Sequence, residues 1–282
     1  MNSNVGRQPG TPGAAVSERR TTYCFGTARI DVSVDEADTA RWLFEFFSPW
    51  FSTGPSSGTG LRVRAAHSRE EFAAAARRET AGNLRLFPCF RLDSSLVSLP
   101  GWMESDRTTF IADRELGCYY RLQDDQVRVI ARPRDLPARL GLMRVLRELA
   151  TSQASALPEM LDLHAAAFGF GGHAILLTGE KRTGKTTLLS HALTSRETSL
   201  IANDRVLVDG ERLQAFGVPT IVSVREETEA MFPSLGRIHP RRAVFLNERE
   251  LALMSPDTGT EQRLSLSLAQ LARQLGSPVS PS

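Results

Sequence analysis

The stretch AILLTGEKRTGKTTLLSHAL, Ala174 to Leu193, runs an apolar segment into a loop with two glycines and a lysine, then into a helix-like segment. Gly179, Gly184, Lys185 and Thr186 satisfy the pattern G-x-x-x-x-G-K-[ST]. Glycines let successive backbone N–H groups curl around an anion, and the following helix adds its N-terminal donors. The lysine neutralises phosphate oxygens and the adjacent hydroxyl ligates Mg²⁺. AILLT before the loop reads as a buried strand and TTLLSHAL after it as a helix, which is the context this chemistry requires. The cradle covers Gly179, Glu180, Lys181, Arg182, Thr183, Gly184, Lys185, Thr186 and Thr187, and it calls for a nucleotide phosphate and Mg²⁺.

The segments on either side follow the same grammar. LHAAAFGF precedes the loop and SLIANDRVLVDG follows its helix, an order that predicts an α/β core with strands buried on both faces. LQAFGVPTIVSVR and RAVFLNERELALMS add strands, and SLSLAQLARQLGSPVSPS closes as a short helix with a frayed tail over 275–282. A guanine-reading N-K-x-D is absent, and the long strand ending in acid that a motor ATPase needs has one nearby candidate, LIANDRVLV. The loop alone specifies a nucleotide and no reaction.

Upstream, residues 1–20 are rich in Gly, Pro, Ser and Arg and read as a tail. TTYCFGTARIDVSV alternates as strand, ADTARWLFEFFSPWF is a dense helix stopping near Pro49, and STGPSSGTG is a loop. LRVRAA is a strand, and SREEFAAAARRET is a helix capped by Ser68 with Glu70 and Glu71 in its first turn. TTFIAD, CYYRL and QVRVIA predict antiparallel or mixed strands. In LPARLGLMRVLRELATSQA, Leu142, Val145, Leu146 and Leu149 recur at helical spacing, so one face packs. The expected organisation is a smaller α+β domain over 21–135 and a P-loop domain over 136–274.

The bulk numbers set outer limits. With 282 residues, 41% hydrophobic and 23% charged, the chain has the composition of an ordinary globular protein. A net charge of +2 gives no electrostatic case for nucleic acid. Cys24, Cys89 and Cys118 are scattered, with neither a disulfide framework nor zinc spacing. The first residues lack a signal-peptide core and no run reaches the ~20 apolar residues of a membrane helix, so a cytoplasmic protein without a membrane partner is expected.

Leu163 to Val208 resembles the catalytic domain of HPr kinase/phosphorylase and its relatives, including kinases of peptide biosynthetic clusters, a group distantly related to phosphoenolpyruvate carboxykinases. In that family a strand carrying a histidine precedes the loop, here at His164. A strand ending in an acidic pair follows one helix later, here at Asn203 and Asp204. The resemblance implies transfer of the γ-phosphoryl of ATP to a serine hydroxyl of a peptide or protein, with Mg²⁺, by an oligomeric enzyme. Carried over, Lys185 holds the β and γ phosphates, Thr186 binds Mg²⁺ and His164 lies near the attacking hydroxyl. Because Asn203 cannot take a proton, Asp204 does the acid–base work, the metal work, or both. An extra residue in the helix would shift this register. Lys181 and Arg182 replace a small residue and a glycine; they either meet phosphate or acceptor, or point to solvent.

Among single residues, Arg225 either stabilises transferring charge or forms surface salt bridges with Glu226, Glu227 and Glu229, the latter being preferred. His173 and His191 are expected to be structural, and His67, His239 and the pair Arg241–Arg242 form no constellation. Acceptor specificity is assigned to the N-terminal half. The expected function is a kinase for a serine hydroxyl; the alternatives are a kinase for a small-molecule hydroxyl and a nucleotide-binding regulatory module.

Overall fold

The computed structural model describes residues 19–55, 60–90, 96–104, 107–135, 138–180, 182–236 and 263–281. It is a mixed α/β architecture built around one large mixed sheet. The expected strands RAVFLNERELALMS, the residues His239, Arg241, Arg242 and Lys181, and most of the N-terminal tail lie outside the described residues.

Nine strands make the large sheet: β1 (Arg19–Phe25), β2 (Ala28–Val34), β3 (Ser52–Gly54), β4 (Leu61–His67), β5 (Arg85–Phe90), β6 (Leu96–Met103), β7 (Thr109–Asp113), β8 (Cys118–Gln123) and β9 (Gln126–Ala131). Their order is β3-β1-β2-β4-β9-β8-β7-β6-β5. The β2–β4 and β4–β9 pairs are parallel. Both parallel crossovers carry a helix, as parallel pairing demands: α1 (Ala37–Phe47) and α2 (Arg69–Ala81). In α2, Ser68 caps the helix as expected, accepting from Glu71 N–H at 3.2 Å. The segment read as a loop from Ser52 begins instead as β3, which pairs with β1 through Thr22, Tyr23 and Cys24.

For α3 (Ala138–Ala154) the periodicity predicts one packed face. Instead it packs on β1, β2, β4 and β9. It buries Leu140, Leu142, Met143, Arg144, Leu146, Arg147, Ala150 and Thr151, and only Ser152 is exposed. A Cβ on Gly141 would sit 2.7 Å from the Tyr120 hydroxyl and 2.8 Å from Cys118 Sγ, so the helix approaches the sheet too closely for any other residue. Arg144 donates to Asp113 at 2.5 Å and to the Tyr120 hydroxyl at 2.6 Å. Burial pushes the Tyr120 hydroxyl well above its usual range, so it stays protonated and donates to Asp113 at 3.0 Å. Burial likewise drives the Cys118 thiol up to about 12, which leaves it an inert core residue.

The C-terminal half contributes small antiparallel sheets. β10 (Met160–Leu163), β14 (Val206–Asp209) and β15 (Gln214–Gly217) form one in the order β10-β14-β15; β11 (Ala166–Phe170), β12 (His173–Leu177) and β13 (Thr198–Ala202) form another in the order β12-β11-β13. β16 (Ile221–Arg225) pairs with β17 (Arg263–Ser267). The helices are α4 (Lys185–Ala192), α5 (Glu226–Met231), α6 (Pro233–Gly236) and α7 (Leu268–Leu275). Ala166, Ala167, Leu200, Ile201 and Ala202 are buried as a two-faced sheet requires. β12 is not: it is the sheet's edge among the described residues, and Ile175 is 39% exposed.

One hydrophobic cluster runs from Ile30, Phe46 and Met143 through Leu189, Leu200 and Val222 to Leu271, with no break at 135/136. Trp50 Nε1 donates to Ile201 O at 2.7 Å across that line. The tail read as frayed is paired: Leu200 N–H donates to Pro278 O and Ser280 N–H to Leu200 O, both at 2.9 Å, adding Val279 beside β13. Among the described residues no helix is long and apolar enough to cross a membrane.

His67, expected to be isolated, ends β4 against two carboxylates. Its Nδ1 lies 2.5 Å from Asp35 Oδ1 and its Nε2 3.6 Å from Glu36 Oε2. Burial opposes the imidazolium, but Asp35, then Glu36 and Asp135, outweigh it and raise the His67 pKa; burial also opposes the Asp35 carboxylate, yet His67 holds its pKa below the usual range. The pair's stabilisation is therefore present between the unfolded values of about 3.9 and 6.5, and the His67 share fades as pH rises through its folded pKa. Thermal unfolding followed from pH 5 to 9 should show His67→Gln about 2 °C below the parent at the acid end. The two curves converge at the alkaline end; a gap that widens there would be the wrong sign.

Candidate active site

The glycine–lysine loop leaves β12 after Leu177 and enters α4 at Lys185. Three of its residues take positive φ: Gly179 at 149°, Arg182 at 74° and Gly184, the N-cap of α4, at 88°. A Cβ on Gly179 would meet Thr183 Oγ1 at 2.9 Å. Thr183 Oγ1 donates to Glu180 O at 2.9 Å, and Lys185 Nζ donates to Gly179 O at 2.7 Å and Glu180 O at 3.0 Å. The lysine thus draws the loop into a closed turn at the helix N-terminus, where backbone donors and the helix dipole favour an anion.

Behind the loop, consecutive residues divide the work. β13 ends at Ala202, so Asn203 and Asp204 are the first residues past the strand and face different neighbours. Asn203, 8% exposed, accepts from the Thr186 hydroxyl at 3.2 Å. Asp204 turns to His164, whose Nδ1 lies 3.4 Å from its Oδ1. Ala165 N–H donates to Asp204 O at 3.1 Å, fastening the two connecting turns. The structure therefore joins Thr186 to Asn203 and the next residue, Asp204, to His164, while Lys185 turns back onto the loop carbonyls. The resemblance implies Thr186 and Asp204 as the metal-side pair, but the side chain that meets Thr186 belongs to Asn203.

Among the described residues no group of three or more His, Cys, Asp and Glu could hold a metal. Mg²⁺ does not require one, since it commonly takes one or two protein ligands and completes its shell with phosphates and water. The Thr186 hydroxyl and Asn203 Oδ1 are hard oxygen donors adjacent to the loop, so these residues fit a nucleotide-borne Mg²⁺.

The remaining candidates separate. Thr187 Oγ1 and Thr228 Oγ1 lie 2.8 Å apart, joining α4 to α5. Arg225, half-buried, is the N-cap of α5, and among the described residues it forms no ion pair with Glu226, Glu227 or Glu229, against the preferred expectation. His191 packs edge-on against Phe232 at 4.7 Å, as a structural histidine should. His173 is exposed on β12. Sequence reasoning missed Arg205, Asp162 and Glu148. Arg205 Nε donates to Asp162 at 3.0 and 3.1 Å and its Nη1 to Glu148 at 3.0 Å. The available signal was a charged residue between apolar runs in both MLDLHAA and ANDRVLV.

No family model and no curated protein matches this chain.

Arg182 is exposed and sits in the left-handed region, where a non-glycine residue costs about 1–2 kcal/mol. Arg182→Gly should keep the melting temperature within about 2 °C, relief of φ offsetting added chain entropy, whereas Arg182→Val should lower it further. Calorimetric ATP binding should change less than about threefold in Arg182→Gly, under 1 kcal/mol. A tenfold loss would mean that the guanidinium grips phosphate.

Proposed function

We propose that this protein is a kinase that uses ATP and Mg²⁺ to phosphorylate a hydroxyl, with a serine of a peptide or protein as the preferred acceptor. The observation that carries this reading is that the adjacent residues Asn203 and Asp204 reach, respectively, Thr186 in the first turn of α4 and His164. A nucleotide-binding module alone has no need of an accessible acid–histidine pair beside the phosphate end. The His164 side chain is 59% exposed and that of Asp204 26%, so an acceptor can reach both.

Lys185 and the loop's backbone donors hold the transferring phosphoryl group and stabilise its charge. Thr186 and Asn203 would hold Mg²⁺, which when bound supplies further neutralisation of the phosphate oxygens. The acceptor oxygen bonds to the γ-phosphorus as the bond to the β–γ bridging oxygen breaks. Asp204 takes the acceptor's proton, His164 orients that carboxylate and the incoming hydroxyl, and ADP departs. The resemblance of Leu163 to Val208 to the HPr kinase/phosphorylase group supports serine as the acceptor, and the N-terminal sheet is the surface proposed to select it. One observation favours a regulatory module instead: the neutral Asn203 at the metal-side position.

The purified chain, given γ-labelled ATP, Mg²⁺ and a serine-containing peptide library, should transfer label to peptide serine. Lys185→Ala should lower kcat/KM about 10²–10³-fold. Label confined to small-molecule hydroxyls would replace the peptide acceptor, and tight ATP binding without turnover, indifferent to Asp204→Ala, would leave only the regulatory module. Separately, Asn203→Asp adds a charged ligand beside Thr186. It should lower the Mg²⁺ concentration for half-maximal rate by about threefold or more, since affinity follows ligand charge.

A further inference from the structure

Arg205 follows Asp204 directly, and its side chain is 15% exposed. Its Nη2 lies 2.5 Å from Asp162 Oδ2 while Nε reaches the same carboxylate, so the grip on Asp162 is forked. The third arm, Nη1, reaches Glu148 of α3. Burial alone would favour losing the charge, but Asp162 and Glu148 raise the Arg205 pKa well above its usual value. The backbone is fastened as well, since Val218 N–H donates to Arg205 O at 3.0 Å.

Topology gives this grip a target. β10 and β14 are antiparallel with Asp162 opposite Leu207 and Leu163 opposite Val206. Arg205 is therefore one diagonal step from Asp162, a separation that a long side chain spans. Asp162 lies two residues before His164, and Arg205 one residue after Asp204. A planar fork across these strands limits both the sliding of β10 past β14 and the angle between the turns that carry the acid and the histidine.

We infer that Arg205 is a positioning residue, whose forked grip on Asp162 holds His164 against Asp204. The inference deepens the phosphotransfer reading and rests on it for its kinetic consequence. Glu148 serves a different end: it joins the clamp to α3 and contributes to stability without setting the pair's geometry. Arg205 itself touches no reacting atom. It acts through the separation of His164 and Asp204, and misplacement of order 1 Å at such a pair costs up to about a hundredfold in rate.

The test uses the whole chain and four variants, Arg205→Met, Arg205→Lys, Asp162→Asn and Glu148→Gln, with His164→Gln as a fifth for assignment. With ¹⁵N-labelled histidine, the His164 ring resonances, identified by their loss in His164→Gln, should shift in Arg205→Met and Asp162→Asn. They should stay in place in Glu148→Gln, although its melting temperature falls. Arg205→Lys, a single point charge, should keep the fold and shift the resonances less than Arg205→Met. In the kinase assay, Arg205→Met and Asp162→Asn should lower kcat about tenfold or more with the KM for ATP within twofold. Arg205→Lys should recover part of kcat, and Glu148→Gln should stay within about threefold of the parent. His164 resonances unmoved in Arg205→Met, or moved equally by Glu148→Gln, would overturn the clamp. Resonances that behave as expected in a chain without kinase activity would uphold the clamp and overturn the kinase instead.

Discussion

A helix packed on nearly every side that buries two of its arginines is the constraint around which this protein is built. α3 leaves only Ser152 exposed, yet it buries Arg144 and Arg147. An uncompensated guanidinium in a core would cost several kcal/mol, so the packing partners on each side must supply acceptors. On the sheet side Asp113 and the Tyr120 hydroxyl receive Arg144. On the other side Arg147 Nη2 pairs with Glu148 at 2.8 Å, and Glu148 in turn pairs with Arg205. Burial still lowers the Arg147 pKa, whereas Arg205, with two carboxylates, is held charged.

Charge neutralisation thus links the large sheet to the site. The chain of contacts runs Asp113, Arg144, along α3 to Glu148, Arg205 and Asp162, and ends at the turns bearing Asp204 and His164. The apolar core follows the same route, since Leu142 and Leu146 share a cluster with Leu189 of α4 and Leu200 of β13. A division of the chain into two independent units at 135/136 would cut through both. The N-terminal half is consequently packed in one core with the elements that carry the glycine–lysine loop.

Much of the secondary structure was legible because its causes are local. Ser68 followed by Glu70 and Glu71 announces α2, and the alternation in TTFIAD, CYYRL and QVRVIA announces three adjacent strands. The strand, loop and helix from His173 to Ala192 were legible for the same reason, as was the placement of His164, Asn203 and Asp204 just past strand ends. What escaped depended on distant neighbours. β12 has the apolar composition of a buried strand but lies at a sheet edge. The polar, proline-containing end of the chain looks like a tail yet pairs with Leu200. α3 carries the arginines of a half-exposed helix, and no periodicity reveals that acceptors await them.

The sequence by itself determined the loop: glycine spacing, lysine and threonine are a short-range code, because the backbone turn and its following helix involve contiguous residues. It also determined which residue types stand at the ends of the flanking strands. Tertiary structure alone decided their partners, putting Asn203 on Thr186 and Asp204 on His164, and joining Arg205 to Asp162 and Glu148 across 43 and 57 residues. The physical reason is that hydrogen bonds and ion pairs depend on ångström-scale distance in the folded chain. That distance is set by strand register and by which faces must be buried together, and neither is written in the neighbourhood of any one residue.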